Sequence, residues 1–346
     1  MRGRRTANPF MSLGGNMTAT LQSIMLCHRG VGGDDQIYWS ISAQDANNNI
    51  TWPTRQPLGE CHSLSGVSVI SVGDVVFCAF ASPDGVLYCA RYWKKNGTYQ
   101  WEAEQMGGNM TDRTPNLLVY GGKIWCIHRG YGDDRLFYTT RSSWGGDAAP
   151  WTADIQVGTD YVPHASCGPA AVVTGDGKLR IAYTTSDSSL NSQVMTLSYD
   201  GTTWSRTYGM NMQSRSTISI QWYKGTILCV WPMAYGSNQI QTCTLDKVTS
   251  SGQDYLDVIT GPFANQTYET SDGPTLVQVR HMTDDDFVLY MIYRETAQQA
   301  RLLYSAWQGA APIQDSQWVN ERVVGQGDQV HNDYYEVGAA PFTYTP

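Results

Sequence analysis

Short apolar runs alternate with polar positions along the whole chain, and each run is closed by a glycine turn or a polar gap. The unit is plainest between residues 110 and 165, where TPNLLVY (114–120), KIWCIHRG (123–130), RLFYTTR (135–141) and WTADIQVG (151–158) follow one another. Such runs, rich in Val, Ile, Thr and aromatic residues and alternating with period two, predict strands; none is long enough for an amphipathic helix. The next stretch repeats the order as GPAAVVT (168–174), KLRIAYTT (178–185), SQVMTLS (192–198) and TWSRTYG (203–209). Aligned on the tryptophan after each polar gap, the units fall at Trp52, Trp101, Trp151, Trp204, Tyr255 in place of Trp, and Trp318, a period near 50 residues. Four short strands in a period of this size predict the blades of a β-propeller.

Six units can be counted, and the two ends of the chain explain each other. The first unit has a second strand, SIMLCHRG (23–30), with no first strand before it, while the chain ends on an orphan first strand, GAAPFTYTP (338–346). The C-terminal strand is therefore expected to complete the N-terminal blade, which closes the ring and removes its open edges. The expected fold is all-β: a single six-bladed propeller domain of four-stranded blades, with seven blades as the alternative. Blade boundaries are expected at about 17–62 plus 336–346, 63–109, 110–165, 166–214, 215–268 and 269–330.

One segment occurs twice almost unchanged: CHRGVGGDDQIYWS (27–40) and CIHRGYGDDRLFYTT (126–140). Across the six units the residue aligned with its histidine is His28, Phe80, His128, Tyr183, Trp231 and Tyr293, always a flat ring, which suits packing between blades. The next position is irregular: Arg29, Ala81, Arg129, Thr184, Pro232 and Arg294. These residues end the second strand on one face of the disk, where the connections between blades also emerge. GGNM (14–17), GGNM again (107–110), GMNMQSR (209–215) and QVHNDYYE (329–336) are expected to form those connections as loops. Met17, Met110, Met210, Met212 and Met233 would then crowd one mouth, an adaptable apolar rim above aromatic and imidazole walls. Arg29, Arg129 and Arg294, with His28 and His128, are the candidate catalytic donors; Trp231, Met233, Tyr293, Tyr183, Phe80, Met110 and Met212 are the candidate substrate-binding residues. The alternative is structural, with the arginines paired to Asp34, Asp35, Asp133 or Asp134.

Composition narrows the partners. Charged residues make up 16% of the chain against 34 Gly, 21 Tyr and 12 Trp, a balance for turns and strands rather than long helices. A formal net charge of −8 and no Lys/Arg run argue against nucleic acid. No apolar stretch reaches the roughly 18 residues of a membrane span. The start, MRGRRTANPFMSLGG, is basic with no apolar stretch after it, so a secretory leader, if the chain had one, is expected to have been removed. Sequons at Asn16, Asn49, Asn96, Asn109 and Asn265 point to secretion and N-glycosylation. The eight cysteines show no CxxC spacing, and Cys27, Cys78, Cys126 and Cys229 lie inside apolar runs, so buried free thiols are expected. A Cys78–Cys89 bridge across the turn SPDG (82–85) is the alternative.

Recognisable catalytic motifs are absent: there is no GxSxG, HExxH or phosphate loop, and no metal or cofactor is expected. SYDGTTW (198–204) falls one residue short of the sialidase aspartate box. Paired-carboxylate hydrolysis would have to recruit Asp34, Asp35, Asp133, Asp134 or Glu295, and the Asp pairs suit tight turns better. The blade openings TPNLLVYGGKIWC (114–126), CGPAAVVTGDGKLRIAY (167–183) and DGPTLVQV (272–279) resemble those of the fungal and bacterial six-bladed fucose-lectin propellers across nearly the whole chain. That resemblance implies a fucosylated-glycan partner held by an Arg, a Glu and an aromatic in most inter-blade grooves. Here the Arg recurs in three blades only, and no Glu follows it at a fixed spacing. A second resemblance, to the fungal hetero-Diels-Alderases that join a tropolone-type quinone methide to a sesquiterpene, rests on size, secretory character and an asymmetric apolar pocket with Arg and His donors. It implies an apolar or phenolic small-molecule substrate and a cycloaddition. Such a reaction needs no nucleophile or metal: holding two partners in reacting geometry supplies about 7–11 kcal/mol. A well-placed donor to an enone oxygen adds about 3 kcal/mol. The leading expectation is this cyclisation chemistry in one asymmetric pocket, with a non-catalytic fucose-type lectin as the alternative.

Overall fold

The computed structural model describes residues 22–30, 33–44, 50–142, 150–158, 161–234, 238–250, 253–270, 272–280, 287–296, 301–307, 318–324 and 337–343. Six four-stranded antiparallel sheets form the ring of a six-bladed propeller. Blade 1 joins Gly338–Thr343 to Gln22–Arg29, Gln36–Ile41 and Gln56–His62. Blade 2 is Ser68–Val72, Val75–Ala81, Val86–Lys95 and Thr98–Met110; blade 3 is Asn116–Tyr120, Lys123–Arg129, Leu136–Arg141 and Ile155–Gln156. Blade 4 is Ala170–Val173, Leu179–Thr184, Gln193–Tyr199 and Tyr208–Gln213. Blade 5 is Ser219–Tyr223, Thr226–Pro232, Gln239–Ser250 and Gln253–Glu269, and blade 6 is Thr275–Arg280, Phe287–Arg294, Leu302–Trp307 and Trp318–Val323. Among the described residues the one helical turn is Ser188–Leu190, and no helix is long and apolar enough to cross a membrane.

The ring closes as its ends predict. Gln22 pairs with Thr343 and the register runs to Cys27 with Gly338, so the last strand is the innermost of the first blade. Phe342 carries the closure further, packing edge-on against Tyr92 and Tyr99 of blade 2, each with ring centroids 5.8 Å away. Apolar packing is divided between the blades, one buried cluster at each of the six contacts between neighbours. The second strands explain this division. All seven residues of Val75–Ala81 and all six of Leu179–Thr184 are buried, because a strand inside a blade has a neighbouring blade on each face.

The tryptophan rule holds in part. Trp101, Tyr255 and Trp318 lie in outermost strands, whereas Trp52, Trp151 and Trp204 precede theirs. All eight cysteines are free. Cys78 pairs with Ala90 and Cys89 with Ala79, so the two thiols point to opposite faces of their sheet and cannot be bridged. The sequons also divide. Asn96 is exposed in a turn, but Asn109 is buried, its amide donating to Thr152 O at 3.1 Å and accepting from Asp154 N at 3.1 Å. That side chain is a structural tie rather than a glycan acceptor. Asn16 and Asn49 lie outside the described residues.

One regularity of the frame escapes a reading by hydropathy. In the connections leading into blades 2, 3, 5 and 6, a buried hydroxyl donates to the carbonyl two residues on: Ser63 at 2.7 Å, Thr111 at 3.1 Å, Ser214 at 2.8 Å and Thr270 at 3.3 Å. These short hydroxyl turns set the chain's path onto the mouth face.

Candidate functional site

The doubled segment builds a turn. Gly30 and Gly130 donate back to the carbonyls of Gln36 at 2.8 Å and Arg135 at 3.0 Å, bringing the second and third strands together. A Cβ on Gly30 would overlap the Asp34 carboxylate, so the side-chain-free residue is required there. The first aspartate of each pair caps the turn: Asp34 accepts from Gln36 N and Asp133 from Arg135 N, both at 3.0 Å. The second aspartate reaches outward to a histidine, Asp35 to His62 Nδ1 and Asp134 to His164 Nδ1, both at 2.6 Å. Asp134 also accepts from the Ser186 hydroxyl at 2.6 Å, which with His164 holds its carboxyl below the usual range.

All six aligned rings are buried at the blade contacts, as packing requires. In blades 1 to 3 each faces another ring across the sheet, His28 with Tyr38, Phe80 with Tyr88, and His128 with Phe137. In blades 4 to 6 the facing residues are Met195, Gln241 and Leu303. The two histidines differ. His128 Nε2 meets Asp154 Oδ1 at 2.9 Å, whereas His28 Nε2 has no partner among the described residues. Burial pushes His28 down to about 4, so it is a neutral ring at physiological pH.

The arginines occupy the mouth face on blades 1, 3 and 6, and those of blades 3 and 6 pair with aspartates. Arg129 pairs with Asp112 at 2.5 Å and Arg294 with Asp272 at 2.6 Å. Both aspartates stand in the connection leading into the arginine's own blade, so the pairing is not with Asp34, Asp35, Asp133 or Asp134. A strand end lies over its own blade's lead-in, which neighbourhood in the sequence does not reveal.

Concave surface opens elsewhere on the ring. An axial channel of about 420 Å³ runs between the six inner strands, where Ser68 and Ser219 accept backbone N–H bonds from the neighbouring blades at 2.9 and 3.1 Å. Among the described residues, two grooves open between blades. The groove between blades 1 and 2, about 530 Å³, is built by Leu58, Glu60 and His62 on one side and Phe80, Tyr88 and Trp101 on the other. Phe80 and Tyr88 stack with centroids 5.8 Å apart and planes 14° from parallel, and Trp101 is braced by Trp39 and Tyr92. Asp35 orients His62 at its rim, and Glu60 is exposed.

The groove between blades 4 and 5, about 580 Å³, has Met210, Met212 and Gln193 on the blade 4 side and Trp231, Met233 and Gln241 on the other. Trp231 Nε1 donates to Gln213 O at 3.1 Å, fixing the indole, and among the described residues no charged side chain lines the groove. Thus Met212, Trp231 and Met233 converge as a set. Phe80 belongs to the other groove, while Tyr183 and Tyr293 are buried in the contacts between blades 3 and 4 and between blades 5 and 6. Met110 ends the outermost strand of blade 2, opposite Val86. Two segments expected as loops are strand instead, 107–110 within Thr98–Met110 and 209–213 within Tyr208–Gln213, so Met110, Met210 and Met212 are fixed on strands. Met17 and residues 329–336 lie outside the described residues. Neither groove is lined by Arg29, Arg129, Arg294, His28 or His128. Glu60, His62, Tyr88 and Trp101 went unrecognised as a group. The signal was the histidine just before each blade change, in CHSLSG (61–66) and PHASCG (163–168).

No protein-family model matches the chain, and no curated protein matches its sequence. Solved structures match its fold. AofleA from Arthrobotrys oligospora superposes with a TM-score of 0.58 at 11% identity, over 95% of this chain and 92% of that one. The Aleuria aurantia lectin, in complex with alpha-methyl-L-fucoside, gives 0.51 at 14% identity over 90% and 97%. The SapL1 lectin, in complex with alpha methyl fucoside, gives 0.51 at 14% over 88% and 96%. At these identities the likeness is one of architecture: the chain has the six-bladed propeller fold of the fucose-lectin type.

Proposed function

We propose that this chain is a carbohydrate-binding propeller whose ligands lie in grooves between blades, with an extracellular setting suggested by its sequons. The observation that supports it best is the groove between blades 1 and 2. Tyr88, backed by the stacked and buried Phe80, and Trp101 offer an apolar aromatic surface for the C–H face of a sugar ring. Glu60 and the Asp35-oriented His62 stand at the rim as acceptor and donor for hydroxyls. Lectins of the same fold were solved with methyl fucoside, which favours a pyranoside ligand. Because the six blade contacts are not alike, binding should saturate at one or two equivalents per chain. Titration calorimetry with methyl α-L-fucoside and a panel of monosaccharides tests this: no binding by any sugar, or as many equivalents as blades, overturns the reading.

The groove between blades 4 and 5 favours a second reading, orientation of an apolar alkene for a hetero-Diels-Alder-like cyclisation. Met210, Met212, Met233 and Trp231 form its adaptable apolar wall, and the Gln193 and Gln241 amides supply hydrogen-bond donors. In that reading the amides take the part first given to the arginines, since Arg129 and Arg294 are engaged with aspartates. Product formation from a quinone methide and an alkene, above the rate without protein and lost in Trp231→Ala, is the expected result.

A further inference from the structure

We infer that the groove between blades 1 and 2 selects sugars carrying a protonated amine over neutral or N-acetylated ones. The inference rests on the carbohydrate-binding reading and names the ligand class of one groove. Phe80, Tyr88 and Trp101 line the cavity, with Tyr88 and Trp101 partly exposed over the buried Phe80, and aromatic rings attract a cation through their quadrupole. Glu60, on the opposite wall, is exposed and has no ion-pair partner among the described residues. On the other side of the mouth, Ser82 and Pro83 lead to Asp84, whose carboxylate accepts the Ser82 hydroxyl. Among the described residues no lysine or arginine lines the cavity, and the imidazole at its rim, His62, is already engaged by Asp35. A carboxylate facing aromatic rings, with no guanidinium to balance it, complements an ammonium group. A carboxylate or sulfate on the ligand would be repelled. The chain's formal net charge of −8 draws the same cations toward the mouth.

De-N-acetylated and fully N-acetylated chito-oligosaccharides of equal length share a backbone and differ in the amine, so they isolate its contribution. Calorimetry at mildly acidic pH, where the sugar amine carries its proton, and moderate salt should show the amine form binding about tenfold or more tighter, the scale of one desolvated cation–π or charge contact. Glu60→Gln keeps shape and an acceptor oxygen but removes the charge; it should lower amine binding about tenfold and acetylated binding by much less, so that the preference between the two forms collapses. Tyr88→Ala should weaken both, and Met233→Ala, in the other groove, neither. Equal binding of the two oligosaccharides, with loss of both in Tyr88→Ala, overturns the amine preference while leaving the carbohydrate reading intact. Amine binding that survives Glu60→Gln and Tyr88→Ala overturns it as well, since attraction to the acidic surface then suffices. If neither these oligosaccharides nor any monosaccharide binds, both readings fail.

Discussion

The grooves between blades 1 and 2 and between blades 4 and 5 occupy equivalent places in the ring but carry opposite chemistries. Each sets a buried ring from the end of a second strand, Phe80 or Trp231, beside the outermost strand of the preceding blade. What differs is the residue opposite that ring and the strand beyond it. Phe80 faces Tyr88 across the sheet and looks toward Leu58 and Glu60; Trp231 faces Gln241 and looks toward Met210 and Met212. One groove is an aromatic platform with a carboxylate, the other a neutral pocket of thioether, indole and amide. The ring position is committed to holding blades together, so variation is free only at the positions around it. The contact between blades 3 and 4 marks the limit: it keeps the Asp134–His164 pair, yet Tyr183 faces Met195 and packs into the core there.

The largest effect should come from removing the closing strand, because it serves one groove and not the other. Deletion from Val337 onward takes away the inner strand of blade 1 and Phe342, which packs under the blade 2 aromatics. Cooperative melting should be lost, and with it the groove between blades 1 and 2. Phe342→Ala is the graded version, expected to cost about 3–5 kcal/mol in chemical denaturation. A truncated chain melting at the full-length temperature would show that ring closure contributes nothing.

Breaking the buried Arg294–Asp272 pair comes next. Their side chains are 5% and 2% exposed, so Asp272→Asn removes the negative charge facing a buried guanidinium, at about 3–5 kcal/mol. Asp112→Asn should cost less, since Arg129 and Asp112 are 14% and 26% exposed and water screens the pair. Neither pair lines a groove, so ligand affinity per folded molecule should be unchanged in both variants. A drop in affinity with unaltered melting would return these arginines to the binding site.

The frame was legible because propeller periodicity is carried by many residues at once: strand alternation, glycine turns and the orphan strand at each end all agree. The Arg, His and Met set was read from a one-dimensional alignment, which locates a strand end but not what lies across from it. Register decides that. Tyr88 lies opposite Phe80 and Gln241 opposite Trp231 through pairings of different loop length, so one groove stayed hidden and the other was recovered only as far as Met212, Trp231 and Met233. Asp112 and Asp272 escaped for a related reason: each stands in the lead-in beside which its arginine's strand ends, close in space but not in sequence.

Acid sensitivity should separate blade 1 from blade 2. His28 and Phe80 hold the same position, but His28 is buried without a carboxylate on Nε2 and lies at about 4 against an ordinary 6.5. Between those values the unfolded chain binds a proton that the native ring refuses. The resulting stability is complete above pH 6.5 and declines as pH falls toward 4, by about 3 kcal/mol at most. His28→Phe, which copies blade 2, should flatten this limb of the pH–stability curve. An unchanged limb would mean that His28 is protonated in the native state.

The smallest effect sharpens the comparison most. Met233 is among the exposed large apolar side chains, at 40%, and its sulfur accepts a long contact from the Gln241 amide at 3.9 Å. Two-fifths of the side chain is open to solvent in the free protein, so Met233→Ala should cost less than a core truncation, about 1 kcal/mol or below. A ligand seated on Trp231 would cover that side chain, and losing the covered methylenes should then cost about 1 kcal/mol of affinity. The same substitution should leave sugar binding between blades 1 and 2 untouched, because the two grooves share no residue. Tyr88→Ala should give the reverse pattern, losing sugar affinity and sparing an apolar ligand. Measured on one panel of ligands, the two variants show whether the grooves act independently. If each variant lowers binding of both ligand classes by similar amounts, a single site serves both and the contrast between the two grooves has no functional meaning.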